Sequence, residues 1–380
     1  AAELKSAGGF KFKSVVGATT AGPEGPPTGN VWQLALEVVG VNADRLARLQ
    51  VLVGSLAGRR IEPVELEASL DEIERRHPLY PPALSGVWAG IACGAFAFLL
   101  GEGLLASAAA TLGAAVGQWL RRQLLKRRYN QIGVTMIAGA APPLVYLGFS
   151  AVAVAAGAGG IGYQAGFIAS VLFLVPGFPL VTAALDLARL DISAGVARLT
   201  YAIVIICSAA VVVWGISHTL GAVPEPGIVS DPTLMTRVLQ LVASFAGVLG
   251  FALMFNSPPR MALAAATVAF IPNTARIMMI GSGVPPAVAT ACAAVVVGVV
   301  AAYVAPPLGF PRITISVPAV VIMVPGTTTY LAMAGLGDGA TVEAIAYAVQ
   351  AAIVVLGIAV GLAVARMLTD REWAFEHGGR

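Results

Sequence analysis

The fold class this sequence predicts is an α-helical polytopic membrane protein. About ten transmembrane helices form two inverted five-helix repeats behind a small N-terminal cytoplasmic segment. Three observations predict it. The 380 residues are 58% hydrophobic and 11% charged, with a mean hydropathy of +0.84, whereas soluble chains carry about 25% charged residues. Apolar runs near the roughly 20 residues that a bilayer demands fill most of the chain. Two of these runs, SVLFLVPGFPLVTAALD at 170–186 and AVVIMVPGTTTYLAMAGL at 319–336, are interrupted by the same tripeptide, Val-Pro-Gly.

Residues 1–30 are rich in Gly, Pro, Ser, Thr and Ala, and ATTAGPEGPPTGN reads as a loop or linker. Residues 31–39 (VWQLALEVV) suit a strand. Asn42 is placed to cap a basic amphipathic helix, NADRLARLQVLVGSLAGRR. Pro63 opens a second helix, PVELEASLDEIERR, with acids in its first turn and arginines at its end, as the helix dipole prefers. HPLYPP stops it. This segment, 1–81, is expected to be an incomplete cytoplasmic domain.

Membrane spans are expected near 82–100, 104–120, 131–156, 161–185 and 199–220, then near 237–255, 260–281, 286–304, 313–335 and 341–365. The first repeat is thus 82–220, the second 237–365, and 366–380 is a cytoplasmic tail. Several spans are rich in Ala and Gly, which lets backbones approach closely. The loop RRQLLKRR holds Arg121, Arg122, Lys126, Arg127 and Arg128, and the positive-inside rule puts it in the cytoplasm. Counting alternately from there, both termini fall on the cytoplasmic side of the cell membrane, while the opposite loops (GEG, AAGAGG, GAVPEPGIVSDPTLMT, GLGDGAT) hold no Lys or Arg.

Val175 and Val324 stand 149 residues apart (324 − 175). Each begins Val-Pro-Gly in the fourth span of its own set of five. The pieces AATLGAAVGQWLRR and AATVAFIPNTARIM follow the first span of each half. An odd number of spans per copy turns the second copy upside down, and binding is expected where such repeats meet. Proline lacks the N–H that would bond four residues back. A helix broken in hydrocarbon is tolerable only where the break is buried in protein or lines a cavity. The alternative is a pair of packing kinks, since Pro and Gly are common in membrane helices.

At these residues the chain resembles the threonine/serine exporter family, including its split relatives, whose halves are separate polypeptides implicated in succinate export. The matching pieces are DRLARL and LVPGFPLVTAALDLARLDISAGVARL in the first half. In the second they are GFALMFNSPPR, NTARIM and PRITISVPAVVIMVPGTTTYLAM. The resemblance runs from about Val31 to the end of the last span. It implies a secondary exporter of small amino acids, with dicarboxylates such as succinate as the alternative cargo, driven by the proton gradient. A passive facilitator of small carboxylates would use the same breaks.

The candidate substrate-binding residues follow from the breaks. Pro176, Gly177, Pro325 and Gly326 open them. Pro179 suits the first position of a new half-helix, and Thr327 or Thr328 can cap the other. Free N–H groups there would suit a carboxylate. Thr182, Thr329 and Tyr330 offer hydroxyls, for substrate or for interhelical hydrogen bonds. Arg276 lies within a span, where ionisable residues are usually functional; its alternative is snorkelling to the outer headgroups. Asn273 beside it is a polar candidate. Asp186, ending the broken fourth span, is the carboxylate best placed for proton coupling.

Other classes have little support. A net charge of +3 does not point to nucleic acid. Cys93, Cys207 and Cys292 lie far apart inside apolar runs, and His77, His218 and His377 are scattered, so neither a disulfide nor a metal site is expected. No cofactor is implied. The soluble part lacks GxSxG, HExxH and Walker motifs, so the protein is not expected to be an enzyme. The expected partners are the substrate, protons and the lipid bilayer, with a homo-oligomer left open.

Overall fold

The computed structural model describes residues 10–14, 32–36, 42–56, 63–158, 165–220 and 233–370. The chain divides into two compact units, Ala1–Leu79 and Tyr80–Arg380.

In the first unit, strand β1 (Phe10–Ser14) pairs antiparallel with β2 (Trp32–Leu36). The strand read at 31–39 is thus present and has a partner inside the segment read as loop; the linker at 18–30 lies outside the described residues. Helix α1 (Ala43–Leu56) starts where Asn42 Oδ1 accepts the Arg45 N–H at 3.1 Å, and α2 (Pro63–Arg75) opens on proline, both as the sequence predicts. Asp44–Arg48 and Asp71–Arg75 are ion pairs one turn apart, each at 3.1 Å.

Among the described residues, the regular structure of the second unit is all helix. Its first half contains α3 (Pro82–Leu99), α4 (Leu104–Lys126), α5 (Gln131–Ala155), α6 (Ala165–Ala169), α7 (Gly177–Ala188) and α8 (Ile192–Thr219). The second contains α9 (Leu234–Met254), α10 (Pro259–Gly281), α11 (Pro286–Val304), α12 (Arg312–Val321), α13 (Gly326–Gly337) and α14 (Thr341–Thr369). Among the described residues, seven helices are long and apolar enough to cross a membrane, or up to nine if each bent pair, 166–174 with α7 and α12 with α13, counts as one span. This is a multi-pass membrane protein. Helix α4 has 23 residues but is not among the seven; its glycines, Gln118 and paired arginines dilute its apolar character.

Some helix limits differ from the sequence reading. Helix α8 starts at Ile192, not near 199, because the Asp191 carboxylate accepts the Ala194 N–H at 3.3 Å and caps it. Helix α4 runs six residues past 120 with its basic end still helical.

Packing follows one scheme twice. In the first half α3 packs on α4, α4 on α5, α5 on α8, α8 on α7, and α6 on both α3 and α4. In the second half α9 packs on α10, α10 on α11, α11 on α14, α14 on α13, and α12 on both α9 and α10. Between the halves, α3 meets α9, α7 meets α14 and α12, and α13 meets α8 and α6. Small residues set the spacing. A Cβ on Gly86 or Gly90 of α3 would come 2.6 Å from the carbonyl oxygens of Ala115 or Thr111 on α4.

Candidate functional site

The two breaks have the same local build. At the first, Pro176 sits at φ −77°, ψ 65°, and the Gly177 N–H bonds back to Val175 O at 2.7 Å. At the second, Pro325 sits at φ −80°, ψ 65°, and the Gly326 N–H bonds to Val324 O at 2.8 Å. Each is an inverse γ-turn centred on the proline. The axes bend by 66° and 53°.

Each new helix begins at the glycine with proline as its cap residue, so neither end has a side-chain cap. This corrects two expectations. Pro179 is the third residue of α7, not the first, and Thr327 and Thr328 are the second and third residues of α13, not its caps. The γ-turn is the reason: it turns the chain at Pro176 and Pro325 themselves and commits the next residue to the helix. The first intrahelical bonds run from Leu180 N to Pro176 O and from Thr329 N to Pro325 O. That leaves the Phe178 N–H free in α7, since Pro179 has none, and the Thr327 and Thr328 N–H groups free in α13.

The breaks face each other across a small apolar cavity lined by four pairs, one member from each half: Leu172 and Val321, Val175 and Val324, Gly177 and Gly326, Phe96 and Phe251. Its free volume is about 20 Å³, room for about one water molecule. A Cβ on Gly177 would lie 3.0 Å from Val321 Cγ1, and one on Gly326 would run into Leu172 Cδ2.

Of the residues picked from sequence, Pro176, Gly177, Pro325 and Gly326 come together here. Thr182 is buried on α7 with its hydroxyl bonded to Phe178 O and Pro179 O at 3.0 and 3.1 Å. Thr329 bonds to Pro325 O at 2.7 Å. Thr327 and Thr328 are half-buried beside the break. Tyr330 is buried beside Ser217 of α8, and its hydroxyl has no hydrogen-bond partner among the described residues.

Asn273 and Arg276 do not line the cavity. Asn273 is wholly buried on α10; its amide donates to Ser244 Oγ of α9 at 2.9 Å, and its oxygen accepts from Arg276 Nε at 3.1 Å. Asp186 lies nine residues beyond Gly177, about 14 Å along the helix, and is ion-paired with Arg198 of α8.

A second polar group was not singled out from sequence. Gln118 of α4 donates to Ser85 Oγ of α3 at 3.1 Å, and Arg122 reaches Ser85 Oγ at 3.3 Å and Met254 O at 3.4 Å. Arg122 thereby ties the first half to the carbonyl end of α9, where a cation is favoured. The signal available was an amide about one helical turn before an arginine in each of the two similar pieces, Gln118–Arg122 and Asn273–Arg276. Among the described residues no group of His, Cys, Asp and Glu could hold a metal ion.

No curated protein and no solved structure matches the chain. Two family models do: one described as a threonine/serine exporter matches residues 18–220, and a second, "Threonine/Serine exporter, ThrE", matches residues 240–368. The first runs to the end of α8 and the second from within α9 into the last turn of α14, so one break falls in each. A multi-pass helical chain with a twice-built break, matched along most of its length by these two models, belongs to the threonine/serine exporter family, a family of transporters, in a fused two-domain form.

Proposed function

We propose that the protein is a secondary active exporter of small amino acids, threonine and serine first, driven by the proton gradient across the cell membrane. Ten spans form two inverted five-helix repeats, with both termini in the cytoplasm. The reading counts α4 as a span and each bent pair as one, and the twice-repeated packing scheme supports it.

The observation that carries the proposal is the meeting of the two γ-turn breaks at one cavity. Half-helix ends without caps leave N–H groups and partial positive charge facing inward, which suits a carboxylate. The substrate is bound by the backbone at Pro176–Gly177 and Pro325–Gly326, next to Pro179, with Thr182, Thr327, Thr328 and Tyr330 as hydroxyl contacts. Asn273 and Arg276 act farther along α10. The cavity as it stands has room for about one water, so binding requires the break helices to part. Asp186, held by Arg198, is the proton-coupling group.

Proteoliposomes given an inward or outward proton gradient and labelled threonine, serine or succinate test this. Threonine or serine accumulating only with the gradient is the expected result. Accumulation of succinate alone would make the cargo a dicarboxylate. Movement only down the substrate's own gradient would make the protein a facilitator. Asp186→Asn is expected to abolish uphill transport while leaving exchange of substrate for substrate.

A further inference from the structure

Asp338 and Arg189 hold the same place in the two halves. Each ends the half-helix that leads away from a break, and they are 149 residues apart (338 − 189). Their charges are opposite. Asp338 Oδ1 accepts the Trp214 indole N–H of α8 at 2.9 Å, and the same oxygen lies 4.0 Å from His218 Nδ1. The Trp214 and His218 rings stack with centroids 5.4 Å apart. Trp214 also lies flat on the neighbouring glycine, where a Cβ on Gly337 would come 2.5 Å from its Cε2. Two turns back, Tyr330 meets Ser217. These contacts fasten α13, from the second half, to α8, from the first.

At the related end, α7 packs on α14 and the chemistry is reversed. Arg189 faces Arg366, whose carboxylate partner is Asp370 at the end of its own helix. Burial, and then Arg366, lower the pKa of the Arg189 guanidinium. Where the α13–α8 contact has a carboxylate hydrogen-bonded across the halves, the α7–α14 contact has two arginines, each beside a carboxylate of its own half: Asp186 by Arg189 and Asp370 by Arg366.

We propose that Asp338 and Trp214 form a latch that holds the end of the pathway away from the basic loops shut, and that the Arg189–Arg366 end has no such latch. The inference rests on the proposed secondary export of substrate past the breaks, to which it adds that the two ends open in turn. Without bound substrate the α7–α14 contact then parts more readily than the α13–α8 contact, while Arg122 and Tyr80 still join the halves at the end of α9. The cationic rim of the α7–α14 contact favours carboxylates there, where an exporter must load. Opening the far end requires the Trp214–Asp338 bond to break.

The test uses the full chain with Cys93, Cys207 and Cys292 replaced by alanine, Thr327→Cys beside the break as reporter, and a membrane-impermeant maleimide added to either face of oriented vesicles. Asp338→Ala and Trp214→Phe are expected to raise labelling from the face opposite the basic loops by about tenfold, the scale of a lost charge-assisted hydrogen bond. Asp338→Asn keeps an acceptor for the indole and is expected to label like the parent. Unchanged labelling in the alanine and phenylalanine variants, with normal elution on size exclusion, would overturn the latch. So would an asparagine variant as reactive as the alanine one. A rise seen only from the basic-loop face would keep the latch and reverse the orientation. The readout needs no substrate, so a wrong cargo assignment cannot mimic any of these results.

Discussion

Gly177 and Gly326 meet different neighbours, and that difference makes their tolerance to substitution predictable. A Cβ on Gly326 would strike the far end of Leu172, an unbranched-at-Cβ side chain that can rotate away. A Cβ on Gly177 would press on Val321, whose χ1 is stiff. Gly326→Ala is therefore expected to keep part of the export rate, Gly177→Ala to lose more, and valine at either place to lower export by tenfold or more at unchanged surface expression. The measurement is efflux of labelled threonine from cells; equal losses for the two alanine variants would show that the cavity walls do not act as described. Asn273 allows a second decision at this scale. Its amide is wholly buried between Ser244 and Arg276, so Asn273→Ala leaves polar groups without partners, at a cost of about 1–3 kcal/mol. A lowered Tm with unchanged KM is expected of a strut, and an unchanged Tm with raised KM of a substrate ligand. Such partnerships were not legible in the sequence. NTAR shows an amide and an arginine at helical spacing, but that the amide bonds a serine 29 residues earlier depends on how α9 and α10 pack.

The breaks show what a sequence conveys about an element and where it stops. Val-Pro-Gly in two apolar runs was enough to place both interruptions, since proline cannot donate to the helix and glycine allows close approach. The turn type was not, because an inverse γ-turn and a plain kink ask for the same residues. With the turn centred on the first proline, Pro179 moves into the third helical position, where it removes a free N–H that its counterpart Thr328 keeps. The two half-helices therefore offer unequal donor sets, one N–H in α7 and two in α13. Thr328→Pro is expected to make α13 like α7, raising the KM for threonine about tenfold, the scale of one hydrogen bond to a charged group, with little change in Tm because proline is tolerated in a helix's first turn. Transport assays with threonine and, as a control lacking the carboxylate, threoninol would check this; an unchanged KM would remove α13 from carboxylate recognition. The start of α8 differs for a related reason: Asp191 caps a helix whose first turn holds Ser193 and Arg198 follows, so hydropathy alone begins the span about two turns late.

At the scale of the whole molecule, the repeated packing scheme implies that each half is a unit that mates with the other through a limited seam. Composition and the spacing of the two Val-Pro-Gly triplets made two related halves legible, but no sequence pattern states which helices touch between them. The structure gives α3 against α9, with α7 and α8 crossing to α14 and α13. At the centre of the first contact Gly250 lies so close to α3 that a Cβ there would come 2.7 Å from Trp88 O and 2.8 Å from Ala92 N. Both are backbone atoms of a helix and cannot rotate aside, unlike the leucine that faces Gly326. Residues 221–232 lie between the two matched family regions, and a chain cut there and expressed as two polypeptides is expected to reassemble and to export. Gly250→Leu in the second polypeptide is expected to abolish co-purification of the halves while each still inserts in the membrane; α3 would have to move away by more than its packing on α4 allows. Tyr80 and Arg122 reach across the same seam to Ser257 O and Met254 O, so Arg122→Ala is expected to weaken the association without abolishing it. Undiminished co-purification of the Gly250→Leu half would mean that the contacts of α6, α7 and α8 with α12, α13 and α14 suffice to join the repeats, and that the α3–α9 seam is free to open during transport.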